Sequence, residues 1–399
     1  MEQGISNYLT VTGGYWAFTL TDGAIRMLVV LYFHQLGYSP LAIAMLFLFY
    51  EFFGIVTNLF GGWLGARIGL NLCMNIGMGL QIAALMMLTV PDAWLSVPYV
   101  MAAQALSGIA KDLNKMSAKA GVKLFLPEHG DARLFHWVAV LTGSKNALKG
   151  AGFFAGGALL AWLGFRGALL ALAGMLALAL LATWLLLPAG LGKTGEKARF
   201  SGLFSKSPAV NRLFAARFFL FGARDVWFVV ALPVFLAAEL DWSFTAVGAF
   251  FALWVIGYGM VQAITPSLLG SDPAGFMRNP ALWAFGLAAI PVLLAGGLGL
   301  SLDAEILVVA GLAVFGTVFA VNSALHSFLI VAWSDREQVS MNVGFYYMAN
   351  AGGRLAGTVL SGLVYQSAGL TGCLWCSAAF ILAAGLISLS LPRQTTIAP

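Results

Sequence analysis

Stretches of about 20 apolar residues recur along this chain from one end to the other, each long enough to cross ~30 Å of hydrocarbon as a helix. A segment in lipid must satisfy its own backbone, which a helix does and an open strand does not. Twelve spans are expected, near 8–34, 40–66, 70–90, 95–119, 133–163, 165–187, 208–238, 243–269, 279–299, 303–331, 337–366 and 370–391. The composition, 60% hydrophobic and 9% charged, excludes a soluble globular domain. The 47 glycines suit close helix–helix approach. The fold class that follows is an all-α integral membrane protein. Met1 to Asn7 reads as cytoplasmic chain without a signal peptide.

Lys and Arg set the orientation. Twelve fall in the N-terminal and even-numbered loops and the C-tail, and one, Arg166, falls on the other side, so both termini are expected in the cytoplasm of a cell whose inner membrane holds the protein. Residues 188–207 are the longest polar stretch and read as a cytoplasmic linker between halves 1–187 and 208–399. The halves rhyme at an offset of 203–204 residues: Asp22 falls on Asp225, and Asp131 to Asn146 is matched by Asp335 to Asn350. Six spans plus six, repeated in parallel, predict two six-helix halves around a central cavity.

Charge inside those spans carries the functional argument. Eight basic residues lie there, Arg26, Lys111, Lys115, Lys145, Lys149, Arg217, Arg224 and Arg354, against four acids, Asp22, Glu51, Asp112 and Asp225. An ionised group at bilayer depth costs about 2.5–3.5 kcal/mol on insertion scales, so each needs a partner or an aqueous cavity. Pairing every acid leaves about four positive charges over. That surplus predicts a small, multiply charged anion as visitor.

Lys111 and Lys115 share a helix face at i, i+4, as do Lys145 and Lys149. Asn114, Ser144 and Asn146 can add neutral hydrogen bonds to oxyanions. Asp112 can pair with Lys115 at i+3, and Asp22 with Arg26 at i+4. Arg224 and Asp225, as neighbours, are expected on different faces. Arg354, in Asn350 to Arg354, has no acid nearby and is the leading clamp candidate, because a guanidinium grips phosphate or carboxylate in a fork. Pairing and snorkelling account for Arg217 near the cytoplasmic end. Glu51 lacks a local base and reads as protonated or paired across helices, and His326 as a proton relay or a core histidine. Asn350 is a further polar candidate. Tyr15, Trp16, Trp254, Tyr258, Tyr346 and Tyr347 are aromatic candidates for the pore wall, with packing as the default reading.

Other chemistries are thinly supported. No G-x-x-x-x-G-K-[ST] for ATP, no H-E-x-x-H and no G-x-S-x-G occurs, so neither an enzyme nor a cofactor or metal site is expected. Cys373 and Cys376 form a C-x-x-C among Leu, Trp and Ala and read as small apolar residues. Nothing suggests nucleic acid, and lipid is the expected surrounding.

Gly61 to Gly69, Gly-Gly-Trp-Leu-Gly-Ala-Arg-Ile-Gly, resembles the loop signature of major facilitators, with Ala66 where that family carries an aspartate. Arg67 and Gly69 remain as gating-loop candidates. The stretches Asn7 to Arg26, Gly108 to Lys119 and Leu141 to Gly150 resemble the ArsJ-type organoarsenical efflux permeases of the major facilitator superfamily, along the full chain and most densely in spans 1, 4 and 5. The resemblance implies export of 1-arseno-3-phosphoglycerate, made when a glyceraldehyde-3-phosphate dehydrogenase takes arsenate in place of phosphate, and hence arsenate resistance. The residues themselves support a phosphorylated anion, which a phosphorylated-metabolite/phosphate exchanger would also bind.

Overall fold

The computed structural model describes residues 2–125, 130–188, 190, 207–268, 279–300, 302–332 and 339–392. Within these ranges the side chains of 2–5, 59–67, 119–125, 130–143, 266–268, 328, 331–332 and 339–344 lie outside the described set, as does most of the expected linker.

Every long element among the described residues is helical: α1 (Glu2–Gln35), α2 (Pro40–Leu46), α3 (Leu48–Ile68), α4 (Leu70–Met87), α5 (Val97–Phe125), α6 (Gly130–Leu186), α7 (Pro208–Phe228), α8 (Ala231–Ala238), α9 (Phe244–Leu268), α10 (Pro280–Gly299), α11 (Ala304–Ala332) and α12 (Val339–Leu389). Among the described residues, nine stretches are long and apolar enough to cross a membrane. Two of them, Ser144–Leu186 and Phe345–Leu389, run to 43 and 45 residues, about twice what one crossing needs. Each is broken at one glycine of positive φ, Gly164 (66°) and Gly369 (61°), a conformation that side chains with a Cβ rarely adopt. The expected limit between the fifth and sixth spans falls at Gly164. α5 is not among the nine.

The expected seventh span, 208–238, is two helices. Pro233 cannot donate to the carbonyl four residues back and crowds it, so the helix stops at Phe228 and restarts at Ala231. The backbone N–H groups freed at the break, of Val230 and Ala231, donate to Ser361 Oγ at 3.3 and 3.1 Å. The expected second span is likewise divided, into α2 and α3. Gly69, at φ 97°, makes the turn from α3 directly into α4.

The chain forms two compact units. The first comprises Met1–Gly37, Met45–Phe200 and Trp242–Val255, the second Tyr38–Ala44, Ser201–Asp241 and Ile256–Pro399. In the first, α1 lies on the first part of α6. A Cβ on Gly23 would stand 2.7 Å from the Lys149 carbonyl and 3.1 Å from Gly152 Cα, so glycine permits the approach. Tyr8, Tyr15 and Phe18 of α1 form a core with Met74 and Met78 of α4 and Leu176 of α6. In the second, α7 lies on the first part of α12, where a Cβ on Gly357 would stand 2.5 Å from the Gly222 carbonyl. Val210, Leu213 and Phe214 pack there with Leu329, Ile330 and Tyr346. Outward faces are apolar: Trp162 and Leu178 are 75% and 71% exposed, as a lipid-facing helix requires.

Candidate functional site

The first unit gathers its charge where α1, α3 and α5 meet. Gly108 of α5 stands against the Tyr50 carbonyl of α3, and a Cβ there would strike it. That contact brings the α3 face bearing Tyr50, Gly54 and Asn58, one turn apart each, onto the α5 face bearing Lys111, Asp112 and Lys115. Asp112 is buried and holds two lysines, Lys115 Nζ at 2.8 Å from Oδ1 and Lys111 Nζ at 3.7 Å from Oδ2. Lys115 also donates to Asn58 Oδ1 at 2.9 Å. Gly54 leaves room for the group, since a Cβ would lie 3.0 Å from Asp112 Oδ2.

Tyr50 joins this cluster to α1. Its hydroxyl donates to Asp22 Oδ1 at 2.5 Å, the Lys111 ammonium lies 4.0 Å from its ring centroid, and the Arg26 guanidinium carbon 5.0 Å from it. Arg26 pairs with Glu51 at 2.8 Å, both buried. The expected Asp22–Arg26 pair is thus replaced by two contacts across helices, and Glu51 is paired across helices with Arg26. Lys145 and Lys149 are half-buried on α6, with Lys149 5.7 Å from the Phe153 ring, and Trp16 Nε1 donates to Ser144 Oγ at 2.9 Å. Asn146 is half-buried on the same helix.

Two neutral candidates fall elsewhere. Asn114 is buried against Gly77 of α4 and donates back to the Ala110 carbonyl at 3.0 Å, a packing role rather than a place beside the lysines. Tyr15 is 3% exposed in the apolar core. Cys373 is buried and Cys376 half-buried, both as free thiols.

The second unit repeats the motif of one buried carboxylate between two cations. Asp225 Oδ1 takes Arg224 at 2.5–2.6 Å and Oδ2 takes Arg354 Nε at 3.1 Å. Arg224 therefore curls back onto its neighbour, and Arg354, which has no acid nearby in the sequence, meets one on α7. The four cations of the two triads keep 15–18% of their side-chain surface exposed, while both carboxylates keep 1%. A buried acid with its cations turned partly outward leaves each triad a net positive face. Asn350 is half-buried on α12, and its Oδ1 has no hydrogen-bond partner among the described residues.

Arg217 departs most from expectation. It is 4% exposed, so it does not snorkel. Its Nη1 donates to the Ser323 carbonyl at 3.2 Å and to Ser323 Oγ at 3.1 Å, and its guanidinium carbon lies 3.7 Å from the Phe221 ring centroid and 4.5 Å from that of Tyr346. His326 is 1% exposed on the next turn of α11. Sequence reasoning missed Tyr50 and Asn58. Asn58 had a signal, a carboxamide within an apolar span, whereas Tyr50 had none, since a tyrosine in lipid is ordinary. The gating-loop candidate Arg67 lies outside the described side chains.

Residues 11–325 match the Major Facilitator Superfamily. The chain belongs to that superfamily. Among solved structures this facilitator is similar to a POT family transporter in complex with a thioalcohol-conjugated peptide, at TM-score 0.76 and 14% identity over 96% of this chain and 95% of that one. It is also similar to a point mutant of a peptide transporter POT in complex with sulfate, at 0.72 and 15% over 96% and 93%. A proton-dependent oligopeptide transporter structure matches at 0.71 and 15% over 96% and 98%. No curated protein matches the facilitator. At these identities the likeness establishes the fold, and the facilitator is a multi-pass membrane transporter.

Proposed function

We propose that this facilitator crosses the inner membrane of a bacterium twelve times, with both termini in the cytoplasm, and exports a small phosphorylated anion by alternating access. Its substrate is 1-arseno-3-phosphoglycerate, as the resemblance of spans 1, 4 and 5 to ArsJ-type permeases implies. The observation that carries the anionic reading is the pair of triads. Lys111, Asp112 and Lys115 in one unit and Arg224, Asp225 and Arg354 in the other each place two partly exposed cations on one buried acid. Lys145 and Lys149 add to the first set. The ester carries a phosphate at one end and an acyl arsenate at the other, and each set of cations is suited to an oxyanion of that kind. Arg26 is held by Glu51 and serves the first set from behind. Arg67 and Gly69 belong to the gating loop.

The membrane potential suffices to drive export. An inside-negative potential contributes ~2.3 kcal/mol per charge per 100 mV, so a trivalent anion at roughly 150 mV gains about 10 kcal/mol on leaving. Proton coupling through Asp22 or His326 is not required by this arithmetic.

The test is arsenate resistance and extracellular arsenic in a sensitive bacterium expressing the protein, with and without a glyceraldehyde-3-phosphate dehydrogenase. Resistance that needs both proteins supports the ester as substrate. Unchanged sensitivity, with the protein present in the membrane, removes the arsenic assignment and favours a phosphorylated-metabolite/phosphate exchanger.

A further inference from the structure

The second unit holds three intramembrane cations and one acid, and the triad at Asp225 accounts for two of the cations. The third, Arg217, has no carboxylate among the described residues. Its described hydrogen bonds go to one serine, and its Nε–H has no partner there. Taking an ion from water into a protein interior costs several kcal/mol after relaxation, and a serine's neutral dipoles recover only part of that. A charge so placed needs a reason.

The surroundings are built to present it. Phe221 and Tyr346 flank the guanidinium and fix its plane. Ser323 Oγ receives both Arg217 Nη1, at 3.1 Å, and the Tyr258 hydroxyl, at 3.2 Å. Ser323 and Tyr346 are in turn tied together through Ser327, whose hydroxyl donates to the Ser323 carbonyl at 2.9 Å and lies 3.1 Å from the Tyr346 hydroxyl. One turn from Ser323, His326 keeps an Nδ1 with no partner among the described residues. A buried donor without an acceptor, as Arg217 Nε–H is among the described residues, costs about 1–3 kcal/mol. What Arg217 lacks is negative charge and acceptor oxygens.

Arg217, Phe221 and Arg224 stand at i, i+4 and i+7, so both arginines lie on one face of α7 and share the Phe221 ring, Arg224 at 5.2 Å. Asp225 occupies Arg224 and leaves Arg217 uncompensated. We infer that Arg217 is a second anion subsite of this unit, about two turns along α7 from the triad, which takes a tetrahedral oxyanion head in a guanidinium fork. Tyr258, half-buried, is joined to it through Ser323 Oγ, which takes both donors. The inference rests on the anionic reading of the substrate and deepens it. A phospholipid headgroup offers the same oxyanion chemistry, but the buried position inside the helix packing favours a soluble one.

The experiment is thermal unfolding of the purified full chain in detergent, titrated with phosphate, arsenate or 3-phosphoglycerate against chloride at matched ionic strength, with a short-chain phosphatidylglycerol as a separate arm. Wild type should gain stability from the oxyanions. R217Q should melt in chloride no lower than wild type, because an uncompensated charge has been removed, and should bind oxyanion at least tenfold more weakly. R217K, which keeps the charge and loses the fork, should weaken binding as well. Y258F, which spares the guanidinium, should fold and weaken binding a few-fold. A wild type that answers none of the oxyanions overturns the anionic reading together with this one. A wild-type response that R217Q and R217K leave unchanged overturns the Arg217 subsite alone. So does an R217Q that melts well below wild type in chloride while R217K binds normally, since the arginine is then structural. A response to the lipid alone overturns the soluble ligand.

Discussion

The two units carry the same surplus by different means. Inside the spans the first has five cations to three acids and the second three to one, among the described side chains, so each is left with two positive charges over. The first spreads them over lysines and ties its arginine to Glu51. The second uses arginines alone and leaves one of them, Arg217, on a serine. Lysine is a point charge on a flexible stem, whereas arginine presents a rigid planar fork. On the proposed anionic reading, the first unit would attract an anion in varied poses and the second would fix the geometry of one head.

The largest effects should come from the two shared acids. D112N or D225N leaves two cations beside one neutral amide in a buried place, and breaking such a group typically costs about 3–5 kcal/mol. Both variants should melt far below wild type in chloride and regain part of the loss in phosphate. Equal melting for D225N and wild type would mean that Arg224 and Arg354 find other partners. Next comes G108V, which drives a branched side chain into the Tyr50 backbone; overpacking of this kind costs about 1–3 kcal/mol. It should separate the Asp112 cluster from Asp22, with transport lost beyond what the lowered melting explains, and a variant that transports normally would show that the α3–α5 contact is dispensable. A smaller effect is expected of Y50F, which keeps the ring beside Lys111 and removes the hydroxyl from Asp22. A typical intramolecular hydrogen bond contributes about 0.5–1.5 kcal/mol net, so a modest drop in melting is expected, with substrate affinity nearly kept. The smallest should come from N114A, where the carboxamide only packs against Gly77: transport close to wild type, and a strong loss would return Asn114 to the site.

Much of this arrangement was legible where partners are close in sequence. The ladder Lys111 to Lys115 and the Asp112–Lys115 pair follow from helical spacing alone. Local spacing misled at Asp22 and Arg26, four residues apart, because α3 offered each a better partner, Tyr50 and Glu51. It misled again at Arg224 and Asp225: neighbouring Cα–Cβ bonds diverge, but a long arginine side chain can fold back. Arg354 meets its acid 129 residues away, a distance no local pattern spans. The division of the expected seventh span was foreshadowed by Pro233, and the breaks within α6 and α12 by glycines in an otherwise apolar run. Arg217 was misjudged because its place near a helix end suggested access to water, which packing by Phe221 and Tyr346 denies.

The most direct test of the central claim, that the substrate is an anion whose transport depends on the cations of each unit, is uptake of radiolabelled 3-phosphoglycerate, as a stable stand-in for the ester, into everted membrane vesicles held inside-positive. K115A, K149A and R354A are compared with wild type at equal protein in the membrane. The account predicts wild-type uptake that rises with the potential and falls at least tenfold in variants of each unit. Uptake left unchanged by substitutions in both units would contradict it.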